Sequence, residues 1–529
     1  MAASADTQWF LPLILLAKSS VLNSSAGLPL LIVFLMALVL TALLHWSFPG
    51  GSAWGKYHTI APLSTQRTPP GPRGLPLLGS MNLMLGLAHR RLAAAAASNR
   101  ATRLMALSLG ATRVVVSSDP EVAREILQSP SFADRPIKES AFGLMFHRAI
   151  GFAPYGLYWR SLRRIAANHL FSPRQIAASS PHRARIAAQI VASLDDGSER
   201  PVRVRHVLKR ASLNNIMTSV FGQRYELDGE EREDVQELRS LVDEGYDLLG
   251  KLNWSDHLPL LGALDLQKIR SRCDRLVPKV NRFVGRIIEQ HRADPTRDHQ
   301  DFVDVLLSLR GNDSLTDSDM VAVLWEMVFR GTDTVAVLIE WTLARLTMHG
   351  EVQARVQEEL YRVVGMHREV TELDLGQLTY LHAVLKEVLR MHPPGPLLSW
   401  ARLATSDVVV DGKLIPRGTT AMVNMWAIMH DPRVWAKPDE FRPERFMEEE
   451  IPIFGSDLRI APFGSGRRNC PGKGLAMDTV VFWVAVLVHE FEWLPSPEVD
   501  LSEVLGLSCE MAVPLTVGLK RRRPKNEKT

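Results

Sequence analysis

One cysteine of the chain, Cys470, lies in the glycine-rich stretch 463–472, FGSGRRNCPG. Gly464, Gly466 and Gly472 permit tight turns and a close approach to the backbone, so the loop can hold a thiolate with its amides. A lone cysteine is more often a small buried side chain without a chemical role. Zinc would require further Cys or His ligands at short spacing, and the neighbouring sequence offers none. The loop therefore predicts Cys470 as a thiolate metal ligand outside any zinc cluster.

The segment after this loop predicts a buried helix. Residues 475–489 are almost all apolar, and the start of such a helix directs its positive dipole end at the cysteine sulfur. Arg467, Arg468 and Lys473 add positive charge beside it. Because the dipole and the charges both favour thiolate over thiol, the surroundings of Cys470 suit an ionised cysteine.

A second set of residues suited to chemistry lies in the middle of a long predicted helix. Thr316 opens a capping-box pattern, and Gly350 is the predicted end of the helix, about 50 Å away. The polar stretch 330–334, RGTDT, interrupts its apolar run. Burying an acid and a hydroxyl in such a helix is costly unless they are satisfied or used. Either a threonine bonds to a helix carbonyl and bends the helix, or Asp333 and Thr334 serve a reaction.

Two pairs of residues are spaced so that each pair shares one face of a helix. Trp159 and Arg163 are four residues apart, and Glu387 and Arg390 are three apart. Farther along, the stretch 441–446, FRPERF, supplies another arginine. An amphipathic surface helix explains the first pair equally well, and an exposed ion pair of at most roughly 1 kcal/mol explains the second. Neither pair decides a function by itself.

The elements that must position these residues are mainly helical. Residues 113–117, RVVVS, form a β-rich run, and 408–415, VVVDGKLI, predict a hairpin with Asp411 and Gly412 at its turn. Caps and Gly or Pro breaks mark a series of helices over 118–251. The pattern predicts a mainly α fold with a smaller β region.

The composition narrows the class of protein. With 529 residues and 46% hydrophobic content, the chain can bury a large core. Its formal charge of +4 is too small, and its basic residues too evenly spread, to indicate a nucleic-acid partner. The three cysteines are far apart in the sequence: Cys273, Cys470 and Cys509. They predict a reducing compartment and no disulfide framework.

The N-terminal region predicts a membrane anchor. Residues 27–44 are almost wholly apolar and would span about 27 Å as a helix, close to the hydrocarbon thickness of a bilayer. A cleaved signal peptide or a buried helix are the alternatives, but the apolar run begins late and no clean cleavage site follows it. Lys56, Arg67 and Arg73 follow the span, whereas Lys18 precedes it. This positive-inside bias predicts a cytosolic C-terminal bulk.

Four separated patterns occur in the order of a known family. The spacing Phe463-x-x-Gly466-x-Arg468-x-Cys470-x-Gly472 resembles the haem-ligand signature of the haem-thiolate monooxygenases, the cytochrome P-450 superfamily, and matches it at every position. The resemblance extends from about residue 65 to the end of the chain. It implies the cytochrome P-450 fold, a single large haem domain, and haem b with Cys470 as the axial thiolate ligand of its iron.

The same resemblance implies roles for the other patterns. Thr334 matches the family residue that hydrogen-bonds dioxygen at the iron, and Asp333 matches the one that relays protons, so both are predicted catalytic residues. Glu387, Arg390 and Arg445 would form a buried structural triad. The predicted haem-binding residues are Trp159, Arg163, Arg402, Phe463, Gly466, Arg468 and Gly472.

One residue departs from the family pattern. Arg330 stands where the family usually has Ala or Gly, four residues before Thr334 and on the same helix face. It could form an ion pair with Glu326, or it could enter the distal pocket and pair with a substrate carboxylate, which would favour fatty-acid-like molecules. The resemblance also predicts that Leu397, Leu398 and the segments 141–153 and 505–509 lie near the substrate. This prediction depends only on their position along the family pattern.

The resemblance completes a domain layout. Residues 1–26 would be a short lumenal segment, 27–47 the transmembrane anchor and 48–78 a linker that includes the proline-rich hinge at 69–76. Residues 79–529 would be the cytosolic haem-thiolate monooxygenase domain. The implied location is the endoplasmic reticulum membrane, with a single pass.

The resemblance also implies a reaction and partners. One oxygen atom of O2 would enter a lipophilic substrate, with electrons from NADPH passing through a flavoprotein reductase that docks near Arg467 and Lys473. The chain looks most like plant microsomal members, and the stretch 329–334, FRGTDT, resembles the plant subfamily linked to organ size and growth control. A haem-thiolate isomerase or dehydratase acting without a reductase, and a non-catalytic haem- or lipid-binding protein, are the alternatives.

Overall fold

The computed structural model describes residues 27–60, 68–195, 201–223, 233–294, 301–398, 401–496 and 498–523. The helices are α1 Gly27–Ser47, α2 Ser52–Ile60, α3 Ala88–Ser98, α4 Pro120–Gln128, α5 Glu139–Gly143, α6 Leu157–His169, α7 Pro173–Ala178, α8 Ser180–Leu194, α9 Val204–Phe221, α10 Glu233–Gly250, α11 Ile269–Ala293, α12 Phe302–Ser308, α13 Asp317–Gly331, α14 Asp333–Met348, α15 Gly350–Val363, α16 Thr379–Met391, α17 Met425–Met429, α18 Arg445–Glu448 and α19 Lys473–Glu490.

The strands are short by comparison. They are β1 Met105–Leu109, β2 Thr112–Ser117, β3 Val202–Arg203, β4 Arg402–Leu403, β5 Val408–Val410, β6 Lys413–Ile415, β7 Thr420–Val423, β8 Phe491–Trp493, β9 Glu503–Leu505, β10 Cys509–Met511, β11 Thr516–Val517 and β12 Leu519–Arg521. This architecture confirms the predicted mainly α fold with a smaller β region. All three cysteines are free, which agrees with the prediction of no disulfide framework.

Helix α1 stands apart from the core. Its candidate span, Leu28–Ser47, has a mean hydropathy of 2.6, and none of it is buried in the protein. Its end is tied to the domain by Trp46, whose indole Nε1 donates a hydrogen bond of 2.9 Å to the carbonyl of Gly74. The helix is therefore long and apolar enough to cross a bilayer. The predicted lumenal segment 1–26 and residues 61–67 of the predicted linker lie outside the described residues.

The largest sheet joins strands that are far apart in the chain, β1 and β2 with β4 and β7. Its strand order is β1-β2-β7-β4, and β2 pairs in parallel with β7, with Val114 opposite Thr420. Strand β4 begins with Arg402, so the sheet fixes the backbone of that residue. The predicted hairpin is confirmed as β5 and β6, with Asp411 and Gly412 both at positive φ, as its tight turn requires.

The predicted single helix from Thr316 to Gly350 is wrong, because the chain forms α13 and α14 with a break at Thr332. The hydroxyl of Thr332 donates a hydrogen bond of 2.6 Å to the carbonyl of Val328, which in a continuous helix accepts from the Thr332 amide. The predicted capping box at Thr316 does begin the helix. The bend thus coincides with the polar stretch of the sequence.

The break also separates two hydrophobic cores. One core consists mainly of α9, α10, α11 and α13, and its last residue on α13 is Phe329. The other consists mainly of α14, α15, α16 and α19, and its first residue on α14 is Val335. The polar residues between Phe329 and Val335 therefore lie at the border of two apolar layers, where a cavity can form without breaking either core.

Candidate active site

A cavity of about 300 Å³ lies at this border and contains most of the predicted site. Its walls are formed mainly by apolar side chains of α9, α13, α14 and α19 together with the cysteine loop. The predicted residues that line it are Trp159, Arg163, Thr334, Arg402, Phe463, Arg468, Cys470 and Gly472. Gly466 and Asp333 do not line it.

The cysteine loop is shaped by local backbone geometry. Gly466 has φ 68°, and a Cβ at this position would lie 2.1 Å from the carbonyl oxygen of Leu127, so only glycine fits. The amide of Cys470 donates a 2.9 Å hydrogen bond to the carbonyl of Phe463 and closes the loop. Helix α19 begins immediately after it, at Lys473. Gly466 thus supports the loop from outside the cavity.

Opposing influences act on the pKa of Cys470. Burial raises the pKa of its thiol, while the amide of Gly472 and the charges of Arg330, Arg163 and Lys473 act in the opposite direction. The side chain is half-buried and faces the cavity. The sulfur is thus shielded by protein and open only toward the site where a ligand would lie.

Several predicted cofactor residues are held by protein groups. Arg163 donates to both the carbonyl and the side-chain oxygen of Asn469, at 2.9 and 2.8 Å. Arg468 donates to three backbone carbonyls within 133–153, at 2.6 to 3.2 Å. The indole Nε1 of Trp159 donates to the carbonyl of Ile150 at 2.9 Å. These bonds fix the side chains along one wall of the cavity.

Arg402 differs from these residues, because it is 4% exposed and its Nε and Nη1 have no hydrogen-bond partner among the described residues. Its Nη2 lies 3.4 Å from the carbonyl of Ser465. Burial, then the charges of Arg468 and Arg163, lower the pKa of Arg402 to about 9. A buried cationic cluster with free donors calls for an anionic ligand. Haem fits these residues, because its propionate carboxylates can accept from Arg402 and its iron can bind the sulfur of Cys470.

The two predicted catalytic residues face different cavities. Thr334 lines the cavity with Cys470, whereas Asp333 lines a second, polar cavity of about 390 Å³. One carboxylate oxygen of Asp333 lies 2.9 Å from Nζ of Lys209, which also lies 3.1 Å from the carboxylate of Glu510. Asp333 and Thr334, the first two residues of α14, thus present an acid to one cavity and a hydroxyl to the other.

The ion pair weighed for Arg330 is present. Its Nε lies 3.0 Å from the carboxylate of Glu326, which is 1% exposed and also accepts the amide of Gly151 at 2.9 and 3.0 Å. Arg135 donates to the carbonyl of Gly151 at 3.3 Å. Two guanidinium groups and one carboxylate therefore meet at Gly151, and both arginines line the cavity.

The triad of Glu387, Arg390 and Arg445 is buried, so the alternative of an exposed surface pair is excluded. Glu387 accepts two hydrogen bonds from Arg390, at 2.8 and 2.9 Å, and one from Arg445 at 3.1 Å. The side chains of Glu387 and Arg390 are fully shielded from solvent. The triad joins α16 to α18.

Some residues of the site were not singled out from the sequence. Arg135, Lys209 and Tyr246 line one or both cavities but lie in segments without a recognisable pattern. Asn469, the acceptor for Arg163, stands inside the cysteine loop and could have been noticed by position. Among the loosely predicted substrate positions, Leu398 lines the first cavity, but Leu397 packs against a separate cluster.

Comparisons with known proteins identify the family of the chain. Residues 69–515 match the family model described as cytochrome P-450. The chain is 60% identical over 534 residues to cytochrome P-450 78A9 of Arabidopsis thaliana, covering 99% of each chain. It is 63% identical over 486 residues to cytochrome P-450 78A3 of Glycine max, covering 90% of this chain and 92% of that one. A solved zebra fish cytochrome P-450 with progesterone has a TM-score of 0.70 at 25% identity, covering 82% of this chain and 99% of that chain.

Proposed function

The chain belongs to the cytochrome P-450 family of monooxygenases, and we propose that it is a membrane-anchored enzyme that inserts one oxygen atom of O2 into a lipophilic substrate. The observation that supports this most directly is the pairing of Cys470 with Arg402 across one cavity. The first residue offers a thiolate for iron, and the second offers free buried N–H groups for a carboxylate. A lipid carrier without a cofactor would need neither.

Bound haem supplies the activation of dioxygen and the oxidation of a C–H bond. Cys470 Sγ would bind the haem iron as a thiolate, and the amide of Gly472 would stabilise its negative charge. Arg402 would bind a propionate through Nε and Nη1, while Arg163, Arg468 and the Trp159 ring hold the wall beside it. In this proposal Phe463, Gly466 and Gly472 shape the loop that presents the sulfur.

Protons would reach the site through the helix break. Lys209 connects Glu510 to Asp333 on the polar side, so these groups can hold a proton that arrives from solvent. Thr334 presents its hydroxyl to the other cavity, where the reaction would occur.

We propose a fatty-acid-like substrate. The cavity walls are mainly apolar, which suits an alkyl chain. At Gly151, the guanidinium groups of Arg135 and Arg330 meet one carboxylate, that of Glu326, so this part of the cavity would favour an anion. A carboxylate there would pair with guanidinium groups bidentately.

The proposal includes an N-terminal membrane anchor and a cytosolic domain. Residues 27–47 would anchor the chain in the endoplasmic reticulum, with 1–26 lumenal, 48–78 as linker and hinge, and 79–529 as the cytosolic domain. Electrons from NADPH would arrive through a flavoprotein reductase on the cysteine side. Arg467 is exposed there, and Lys473 follows the loop, so both can meet acidic groups of a partner.

Reconstitution of the full-length protein with a plant reductase tests this function. We expect NADPH consumption and an oxygenated product from dodecanoic acid or another lipophilic acid only when reductase is present. A product formed from a hydroperoxide without reductase would instead indicate an isomerase or dehydratase. Haem binding without any turnover across a panel of lipophilic acids, alcohols and hydrocarbons would contradict the proposal.

A further inference from the structure

Two hydroxyl groups take the place of backbone amides at the break between α13 and α14. The hydroxyl of Thr332 donates to the carbonyl of Val328, and that of Tyr246 donates to the carbonyl of Phe329. In a continuous helix these two carbonyls would accept the amides of Thr332 and Asp333. Insertion of a side chain into this ladder is a recognised cause of a kink. Of the two donors, Tyr246 comes from another helix, α10.

The contact between α10 and the break is closely packed. The ring of Tyr246 stacks on that of Phe329 with 4.5 Å between centroids and 16° between planes. The neighbouring residue, Gly245, has no room for a side chain, because a Cβ there would lie 2.8 Å from the ring of Phe329. On the other side, a Cβ at Gly331 would lie 2.3 Å from Ile216. Because Gly245 and Gly331 have no side chains, the helices approach closely enough for Tyr246 to reach the backbone of α13.

Tyr246 lies between the two cavities and lines both, whereas Thr334 lines only the first and Asp333 only the second. The backbone amide of Asp333 donates a hydrogen bond to the Tyr246 hydroxyl, which itself donates to the carbonyl of Phe329. The hydroxyl is therefore inserted between an amide and a carbonyl that would bond to each other in a continuous helix. Burial, with the charge of Asp333 adding to it, raises the pKa of Tyr246 well above its ordinary value. The phenol therefore stays protonated and acts as a fixed donor.

We propose that Tyr246 is a positioning residue for the reaction: its hydroxyl holds the helix break open, so that Asp333 faces the polar cavity while Thr334 faces the haem cavity. The inference rests on the proposed function for its catalytic consequence. Because the same side chain lines the substrate cavity, a molecule bound there contacts the residue that sets the break.

A residue that only filled space would tolerate loss of the hydroxyl. Tyr246→Phe keeps the ring and its stacking on Phe329, and it removes the bonds to the Phe329 carbonyl and the Asp333 amide. Tyr158→Phe is the matched control, because the Tyr158 hydroxyl also donates to a backbone carbonyl, that of Arg148 at 2.7 Å, but lies outside both cavities.

Hydrogen–deuterium exchange of the full-length holoenzyme gives the first readout and needs no substrate. We expect Tyr246→Phe to change the exchange rate of the Asp333 amide by about 3- to 10-fold, as the loss of one hydrogen bond implies. Tyr158→Phe should leave that amide unchanged. Identical exchange at Asp333 in wild type and Tyr246→Phe would overturn the proposal, whatever the enzyme's activity.

The second readout is the yield of product per NADPH consumed, with dodecanoic acid as the probe and hydrogen peroxide measured alongside. We expect Tyr246→Phe to lower this yield several-fold, with more peroxide and nearly unchanged NADPH consumption. An unchanged yield would overturn the catalytic part of the proposal. If wild type does not oxidise the probe, the proposed substrate class fails, and exchange at Asp333 still decides whether Tyr246 holds the break.

Discussion

The cysteine loop and the helix break border the same cavity but are assembled in different ways. The loop is one contiguous stretch, 463–472, whose shape follows from its own turns and from Gly466. The break brings together groups from separate elements: Lys209 on α9, Tyr246 on α10, Asp333 and Thr334 on α14, and Glu510 on β10. A local motif can therefore specify the proposed metal-ligand side, whereas the proposed proton side depends on how distant helices pack.

The two regions also differ in what supports them. Away from the break, the buried triad around Glu387 joins α16 to α18 and lines neither cavity, so we expect it to contribute to the fold rather than to the reaction. The break borders a cavity lined by charged side chains, of which Lys209 is partly exposed. We therefore expect substitutions in the triad to change stability, and substitutions at the break to change turnover.

The largest effect should come from Glu387→Gln. The substitution leaves the buried guanidinium groups of Arg390 and Arg445 without a counter-charge, which costs about 3–5 kcal/mol of unfolding free energy. Chemical unfolding of the holoenzyme measures this loss. Glu448→Gln is the control, because the pair between Glu448 and Arg442 is exposed and contributes at most about 1 kcal/mol. Equal stability losses in both variants would contradict the assignment of the triad as structural support.

The next effect should come from Asp333→Asn and Thr334→Ala. Each removes a group proposed to hold or transfer a proton, so the rate of product formation should fall on the order of 100-fold. Iron content and unfolding midpoint should stay close to wild type. Asp247→Asn is the control, since Asp247 lines the same polar cavity but pairs with Lys251 and Arg272. If the control lost as much activity, general disturbance of the cavity would explain the effect.

The smallest effect concerns Arg330. We expect wild type to bind dodecanoic acid about 10-fold more tightly than its methyl ester, as a charge-assisted hydrogen bond of about 1.4 kcal/mol implies. Arg330→Ala should lose most of this preference, and Arg330→Lys should keep part of it because the charge remains. The change in haem absorption on titration with each ligand measures the affinities. The same preference in wild type and Arg330→Ala would show that the acid end of the ligand lies elsewhere.

The cysteine loop could be predicted from the sequence more fully than the helix break. The loop around Cys470, the cap at Thr316 and the turn at Asp411 and Gly412 depend on neighbours in the chain, so residue types and spacing were sufficient. A bend by a threonine bonded to a helix carbonyl was one of two alternatives for the stretch 330–334, and the sequence could not choose it, since either a bent or a straight helix suits the apolar flanks.

The placement of side chains at the break was beyond the sequence for a further reason. Asp333 and Thr334 are adjacent on α14 and face different cavities, because successive residues of a helix point about 100° apart. The partners that stabilise this arrangement, Lys209 and Tyr246, lie more than eighty residues away along the chain. Only the packing of α9 and α10 against α13 and α14 brings them together.

The central claim, that Cys470 binds haem iron, is tested most directly by the absorption spectrum of the reduced, carbon-monoxide-bound protein. We expect wild type and Cys273→Ala, which removes a buried cysteine outside the cavity, to give a Soret band at the thiolate-ligated position. Cys470→Ala should lose this band. A Cys470→Ala protein that keeps the band, or a properly folded wild type that binds no haem, would contradict the account.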